Sequence, residues 1–260
     1  MAASFLKVAS WAHLILVYSR LFNNPSLSDI KIKQVNNSQV REYYAHRAVL
    51  CMESEYFLHI FTGNFKEASE SGIELHDDEP ELYELLLKFI YCNEYDKDTI
   101  VKLAGDDKAK RVLIPIGVFA IADKYDVPKI YQPAANDVRG ILTSSDIEYS
   151  ERIQTALHAH YGTCGSIDSA MGKTITTVIL ENYASRLPKS DFERWMMSYP
   201  MFAADVALAV HRDDGIRKFY RQNCTSCNKI LLTDKATIDS VGWSGYFCTY
   251  CGKKFVVTRS

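Results

Sequence analysis

Apolar and polar residues alternate with a period of two near the start of the chain and recur at helical spacing over most of the rest. The alternation predicts half-buried strands at residues 28–33, 40–45 and 73–75, with a turn at 36–38. Helical spacing of apolar residues predicts helices over 46–61, 80–92, 112–125, 129–142, 147–161, 175–184, 191–197 and 202–220. We interpret the acidic residues 77–79 as charges at the start of a helix. We interpret segment 96–111 as a charged spacer and segment 162–172 as a loop.

The first 22 residues form a separate amphipathic segment without a single acidic residue. One stripe of apolar side chains follows helical spacing, formed by Trp11, Leu14, Ile15, Tyr18, Leu21 and Phe22. The run Asn23-Asn24-Pro25 then ends the pattern. A mitochondrial transit peptide is the alternative for such an acid-poor segment. We favour a folded helix.

Composition narrows the class of protein. The chain has 260 residues, of which 47% are hydrophobic and 24% charged, and it contains 12 Gly and 7 Pro. These values exclude collagen-like, low-complexity and wholly disordered chains. A net charge of -2 argues against a protein that coats nucleic acid through bulk charge. Because no apolar run is long enough to cross a bilayer, we expect a soluble protein of one or two domains without a membrane partner.

Residues 23–131 resemble the BTB/POZ domain through seven short sequence words in the order typical of that family. The words are Leu27-Ser28-Asp29-Ile30, His46-Arg47-Ala48-Val49-Leu50, Ser54-Glu55-Tyr56-Phe57, Phe65-Lys66-Glu67-Ala68, Ile73-Glu74-Leu75-His76-Asp77, Leu86-Leu87-Lys88-Phe89-Ile90-Tyr91 and Ala120-Ile121-Ala122-Asp123-Lys124-Tyr125-Asp126-Val127. The whole layout is most similar to BTB proteins common in fungi, in which an all-helical stretch follows. Segment 96–111 is longer than the corresponding link in many members.

The resemblance implies an interaction module with two partner surfaces. In the family an N-terminal helix often builds a homodimer interface, which Trp11, Leu14, Ile15 and Tyr18 would form here unless they pack on their own chain. Phe65 and Glu67 resemble the hydrophobic-x-Glu motif with which many members bind a cullin-type ubiquitin-ligase scaffold; the alternative is a plain loop. His46 is expected to have a local hydrogen-bonding role.

Four cysteines near the C-terminus have metal-ligand spacing. Cys224 and Cys227 form one Cys-x-x-Cys pair, Cys248 and Cys251 form the other, and 20 residues separate the pairs. Four thiolates are the ligand set of structural zinc, and they leave no open position for catalysis. Asn228 and Gly252 follow the pairs, where a left-handed residue closes the turn. The short strands expected between the pairs, 230–232 and 245–247, complete a zinc ribbon; two disulfides are the alternative, disfavoured by the odd total of seven cysteines.

The sequence as a whole predicts an α+β protein: a BTB/POZ domain with its N-terminal helix at 10–131, an all-helical region at 132–220 and a small zinc ribbon at 221–260. No motif for a catalytic residue is present. The expected function is that of a non-enzymatic adaptor in the nucleus or cytoplasm. The alternative is a nucleic-acid-associated regulator, since 211–260 carries nine Lys/Arg against four Asp/Glu, with aromatic Trp243, Tyr246 and Phe255 nearby.

Overall fold

The structure is a computed structural model that describes residues 19–144, 149–163, 166–183, 187–212, 219–234, 246–248 and 250–255. Within these ranges, every helix is too short or too polar to cross a membrane.

A three-stranded sheet forms the base of the N-terminal half. Strand β1 (Ile30–Asn36) lies in the centre, antiparallel to β2 (Gln39–Ala45) and parallel to β3 (Gly72–His76). Ile30 and Ile32 of β1 face the core, while the alternate residues Lys31 and Lys33 pair with Glu42 and Glu74 on the neighbouring strands. The period-two pattern therefore separates a core face from a charged face, and all three predicted strands are confirmed.

The helix predicted over residues 46–61 is two helices. Helix α1 (Arg47–Glu53) ends at Ser54, and α2 (Glu55–Thr62) begins directly after it. Ser54 adopts an extended backbone and its hydroxyl accepts a hydrogen bond from the Phe57 N–H at 3.1 Å, which caps α2. The same hydroxyl donates to the Tyr125 carbonyl at 2.6 Å, so a long-range contact supports the break.

The charged segment 96–111 is helical, which corrects the interpretation as a spacer. Helix α3 (Pro80–Cys92) is followed by α4 (Lys97–Ala104) and by α5 (Lys108–Lys124). Asp96 accepts a hydrogen bond from the Thr99 N–H at 2.9 Å and Asp107 one from the Lys110 N–H at 3.0 Å. These acidic residues are helix caps, which explains why so polar a segment is ordered.

Five further helices follow and complete the helical region. They are α6 (Tyr131–Thr143), α7 (Tyr149–Tyr161), α8 (Ala170–Val178), α9 (Lys189–Ser198) and α10 (Pro200–Arg212). Ser169 caps α8 by accepting the Gly172 N–H at 2.9 Å, so the predicted loop 162–172 was too long at its end. Helix α10 is described to Arg212, and Phe219 and Tyr220 lie in a strand, so the prediction of a helix to residue 220 was also too long.

Two hydrophobic cores share helix α5. Val118, Ile121 and Ala122 pack into the first core together with the sheet, α2 and α3. Val112, Ile116 and Phe119, on another face of the same helix, pack into a second core built from α6, α7, α8, α9 and α10. A helix that is apolar on more than one side is buried between layers, and α5 thereby joins the N-terminal half to the helical region.

Candidate metal centre and partner surface

Two β-hairpins carry the four cysteines. Strands β4 (Phe219–Asn223) and β5 (Ile230–Asp234) form one antiparallel hairpin, and β6 (Tyr246–Phe247) and β7 (Lys254–Phe255) form the other. The first cysteine pair lies in the turn between β4 and β5 and the second in the turn between β6 and β7. The predicted strands at 230–232 and 245–247 are confirmed at β5 and at β6.

The two cysteine turns make the same hydrogen bonds. The N–H of Cys224 donates to the Lys229 carbonyl and the N–H of Cys248 to the Lys253 carbonyl, both at 2.9 Å. In each turn the residue after the second cysteine donates back to the first cysteine's carbonyl at 2.8 Å, and its φ is positive: 53° for Asn228 and 69° for Gly252. The expected left-handed residues are therefore present and close both turns.

The four sulfur atoms converge on one point. All four Sγ atoms lie within 4.8 Å of one another, and none of them is in a disulfide. The closest pairs join the two hairpins: Cys224 to Cys251 at 3.7 Å and Cys227 to Cys248 at 3.6 Å. A tetrahedral zinc site with Zn–S bonds of about 2.3 Å has S–S edges of about 3.8 Å. The four cysteines therefore lie close enough together to hold one metal ion.

A backbone N–H group contacts the sulfur of the first cysteine in each turn. The N–H of Ser226 reaches the Cys224 sulfur and that of Tyr250 the Cys248 sulfur, each at 3.4 Å. The backbone N–H groups of Cys227 and Ser226 lower the pKa of the Cys224 thiol to about 6. The N–H of Lys229 favours the Cys227 thiolate, but the thiols of Cys248 and Cys224 raise its pKa to about 12. A bound dication would favour the thiolate form of all four cysteines.

The second candidate surface is the turn that carries Phe65 and Glu67. It contains a short 3₁₀ helix, Lys66–Ala68, between α2 and β3, and no residue of that helix is buried. The Phe65 side chain is 57% exposed although it is aromatic, and Glu67 is half-buried beside it. The structure therefore places Phe65 at the surface and Glu67 partly at the surface, two positions apart on the same turn.

Arg47 holds this turn from outside. Its guanidinium donates to the carbonyl of Glu67 at 3.2 Å and also to the carbonyl of Glu70. The same group lies over the Phe61 ring, 4.5 Å from its centre, and this stacking orients the fork of donors. The sequence singled out the turn but not Arg47, because no local pattern shows which carbonyls an arginine side chain will reach.

Two other sequence interpretations have clear outcomes. The buried His46 imidazole bonds Ser26 O and the Tyr91 hydroxyl, both at 3.0 Å, so its hydrogen-bonding role is confirmed, but its partners are distant in the sequence rather than local. Asp78 is more than a helix-start charge: it is buried and accepts hydrogen bonds from Lys124 at 2.7 Å and from Tyr125 at 2.5 Å.

The four residues of the predicted dimer helix, Trp11, Leu14, Ile15 and Tyr18, lie outside the described residues.

A family model for the BTB/POZ domain matches residues 18–136. This part of the chain is a BTB/POZ domain. The match begins at the end of the predicted dimer helix and extends through the sheet and α5 into α6. Members of this family are generally non-enzymatic protein-interaction modules.

Relatives from plants and vertebrates share different lengths of the chain. A BTB/POZ domain-containing protein of Arabidopsis thaliana is 25% identical over 217 residues, which are 82% of this chain and 93% of the relative. Human BTB/POZ domain-containing protein 6 is 32% identical over 95 residues, 36% of this chain but 18% of the relative. Kelch-like protein 7 of Mus musculus is 25% identical over 138 residues, 46% of this chain and 24% of the relative. The fungal layout suggested by the sequence remains a prediction.

Proposed function

We propose that the chain is a non-enzymatic adaptor that brings partner proteins together through its BTB/POZ domain. The observation that carries this proposal is the exposed Phe65 side chain on a turn held by Arg47. An aromatic side chain on a fixed surface turn is the kind of residue that dominates binding energy at protein interfaces. We further propose the predicted domain boundaries: a BTB domain at 10–131, a helical region at 132–220 and a zinc ribbon at 221–260.

The partner we propose for this turn is a cullin-type ubiquitin-ligase scaffold. Phe65 would enter an apolar pocket of the scaffold, and Glu67 would accept a hydrogen bond or ion pair at the edge of that pocket. Support comes from the resemblance of Phe65-Lys66-Glu67 to the hydrophobic-x-Glu motif and from the position of the exposed Phe65 and the half-buried Glu67 on one turn. In this role the chain would be a substrate adaptor, whose remaining surfaces bind the protein to be modified.

Titration calorimetry between the full chain and the N-terminal region of a cullin-type scaffold tests this partner. Phe65→Ala should weaken binding by about tenfold or more, which corresponds to about 1.4 kcal/mol. Glu67→Ala should weaken it less, since a charge at the rim of an interface contributes less than a buried ring. Lys66→Ala is the matched control, because Lys66 lies between the two residues and is exposed. A wild-type chain that fails to bind, or equal binding by Phe65→Ala, would reject the cullin partner.

We propose that the four-cysteine centre holds one structural zinc ion. The convergence of Cys224, Cys227, Cys248 and Cys251 supports it, because four thiolates are the set that structural zinc prefers. Four protein ligands fill the tetrahedron and leave no position for a reacting water, so the ion would stabilise the ribbon rather than catalyse a reaction.

We also propose that the N-terminal helix joins two copies of the chain. This rests on the stripe Trp11, Leu14, Ile15 and Tyr18 in the sequence and on its place ahead of the first BTB strand. Sedimentation of the double variant Trp11→Glu/Ile15→Glu should show a folded monomer where the wild type is a dimer. A wild-type chain that is already monomeric at tens of micromolar would assign the stripe to its own fold.

A further inference from the structure

The two cysteine turns have the same backbone but differ at two side chains. Position by position, Asn223 corresponds to Phe247 and Ser226 to Tyr250, because each pair occupies the same place relative to its cysteines. The N–H groups of Ser226 and Tyr250 make the same 3.4 Å bond to a cysteine sulfur. A cysteine turn of this kind therefore needs no aromatic ring at either position, because the first turn has polar residues there.

Both aromatic side chains of the second turn face solvent. Phe247 is 64% exposed and Tyr250 is 66% exposed, and they flank the buried Cys248. Exposed large apolar side chains are common at binding sites when they lie close together, and these two rings belong to one small turn. We call this pair, with Lys253 and Lys254, the aromatic turn.

Lysine residues lie within the aromatic turn and at the corresponding place in the first cysteine turn. Lys254 lies directly across the strand pair from Phe247, so the two side chains share one face of the hairpin. Lys253 and Lys229 are exposed at corresponding positions of the two turns. The sequence of the ribbon, residues 221–260, carries six Lys/Arg and two Asp/Glu, although the whole chain has a net charge of -2.

We propose that the aromatic turn binds single-stranded nucleic acid. Exposed rings stack on unpaired bases with about 1–3 kcal/mol per base, and adjacent lysines neutralise backbone phosphates. The surroundings favour this partner over a protein groove, because an apolar groove closing on Phe247 and Tyr250 would desolvate the lysines beside them without pairing them. Duplex DNA fits less well, because its base faces are already stacked and offer nothing to the two rings.

The sequence indicated three other aromatic residues for contact with nucleic acid: Trp243, Tyr246 and Phe255. Of those, Trp243 lies outside the described residues, while Tyr246 and Phe255 are register partners across the β6–β7 hairpin. The proposal uses the ribbon that we propose zinc to hold, so the zinc content of every sample is part of its test.

Fluorescence anisotropy of the full chain with a labelled, mixed-sequence single-stranded DNA of about 12 nucleotides tests the aromatic turn. The double variant Phe247→Asn/Tyr250→Ser installs the residues of the first turn, a combination that this backbone already accommodates. It should bind at least about tenfold more weakly with unchanged zinc content. The control Asn223→Ala/Ser226→Ala changes the corresponding positions of the first turn and should bind like the wild type.

Salt dependence and the duplex provide the second readout. Lys254→Gln should make the negative slope of log affinity against log salt shallower by about 0.7, the value for one phosphate contact on a single strand. Failure of the zinc-loaded wild type to bind, equal binding by the double aromatic variant, or equally tight binding of the matching duplex would each overturn the proposal. A wild-type chain that contains no zinc would instead reject the proposal of a structural zinc ion. The zinc content therefore distinguishes failure of the zinc proposal from failure of the nucleic-acid proposal.

Discussion

Arg47 shows how a single side chain can fix a surface turn to which it does not belong. The 3₁₀ helix Lys66–Ala68 buries none of its own residues, so apolar packing does not determine its conformation. The Arg47 guanidinium supplies the missing contacts by donating to the carbonyls of Glu67 and Glu70 while it stacks on Phe61. The exposed Phe65 depends on this arrangement, since a free loop would lose more entropy on binding.

Replacing Arg47 should loosen the turn without unfolding the domain. In Arg47→Ala the carbonyls of Glu67 and Glu70 lose a charged donor, which we expect to cost about 1–2 kcal/mol in the free energy of unfolding. Hydrogen exchange of the Ala68 and Ser69 amides should accelerate about tenfold, because local opening becomes easier. Arg47→Lys keeps the charge but has no planar group to stack on Phe61, so it should rescue exchange only in part. Unchanged exchange in Arg47→Ala would contradict this role.

His160 is a second residue whose environment makes a testable prediction. It is buried on α7, with its ring edge-on to Phe119 and its Nε2 3.2 Å from the Ser169 hydroxyl. Burial lowers the pKa of this imidazole to about 4, because the charged form loses its hydration. An unfolded chain binds this proton near pH 6.5, so the stabilisation is complete above pH 6.5 and is lost as the pH falls towards 4.

Urea unfolding at pH 7 and pH 5 measures this effect. His160 should contribute a loss of about 2 kcal/mol at pH 5 relative to pH 7, as follows from its lowered pKa. In His160→Gln, which keeps a polar group near Ser169 without a titrating ring, that part of the pH dependence should disappear. An identical pH dependence in the two proteins would show that His160 is not responsible.

At the scale of elements, local signals in the sequence predicted most of the fold. The alternation in β1 and the Pro80 start of α3 are recorded in neighbouring residues, and both elements lie where the sequence places them. The break at Ser54 was missed because apolar spacing continues across it, and the decisive bond joins Ser54 to Tyr125, 71 positions away. The helices around 96–111 were missed because their Asp caps had been counted only as charge.

Helix α5 couples the BTB domain to the helical region, and a substitution in it should therefore affect both. Phe119 is buried in the second core, whereas Val118 beside it belongs to the first. Phe119→Ala should lower the free energy of unfolding by about 3–5 kcal/mol. Leu113→Ala on the same helix is the control with a small expected effect, since Leu113 is 41% exposed. Two separate unfolding transitions, of which only one shifts in Phe119→Ala, would contradict the coupling.

At the scale of the whole molecule, the clustering of the four cysteines was predictable and the surfaces around it were not. The spacing of Cys224, Cys227, Cys248 and Cys251 encodes the site locally, and the structure brings all four sulfurs together. The exposure of Phe247 and Tyr250 depends on how the hairpin turns, which no residue spacing shows. The clamp of Arg47 on its turn likewise depends on the packing of α1 against the segment before β3.

Loss of the metal should unfold the ribbon alone. We expect close to one zinc per chain in protein purified without chelator, and Cys248→Ser should lose it, because three thiolates remain. The free energy of metal binding, on the order of 10 kcal/mol, is also the folding energy of so small a unit. The helical circular dichroism should persist, since the described residues of both hydrophobic cores lie before the ribbon. A collapse of the helical signal, or wild-type protein with two disulfides, would contradict this account.

The most direct measurement of the adaptor role is hydrogen exchange of the full chain with and without a saturating cullin-type N-terminal region. We predict that protection is concentrated in residues 63–70, around Phe65 and Glu67, and that it disappears in Phe65→Ala but persists in Lys66→Ala. Absence of protection in this segment, or protection only in other parts of the chain, would contradict the proposed function.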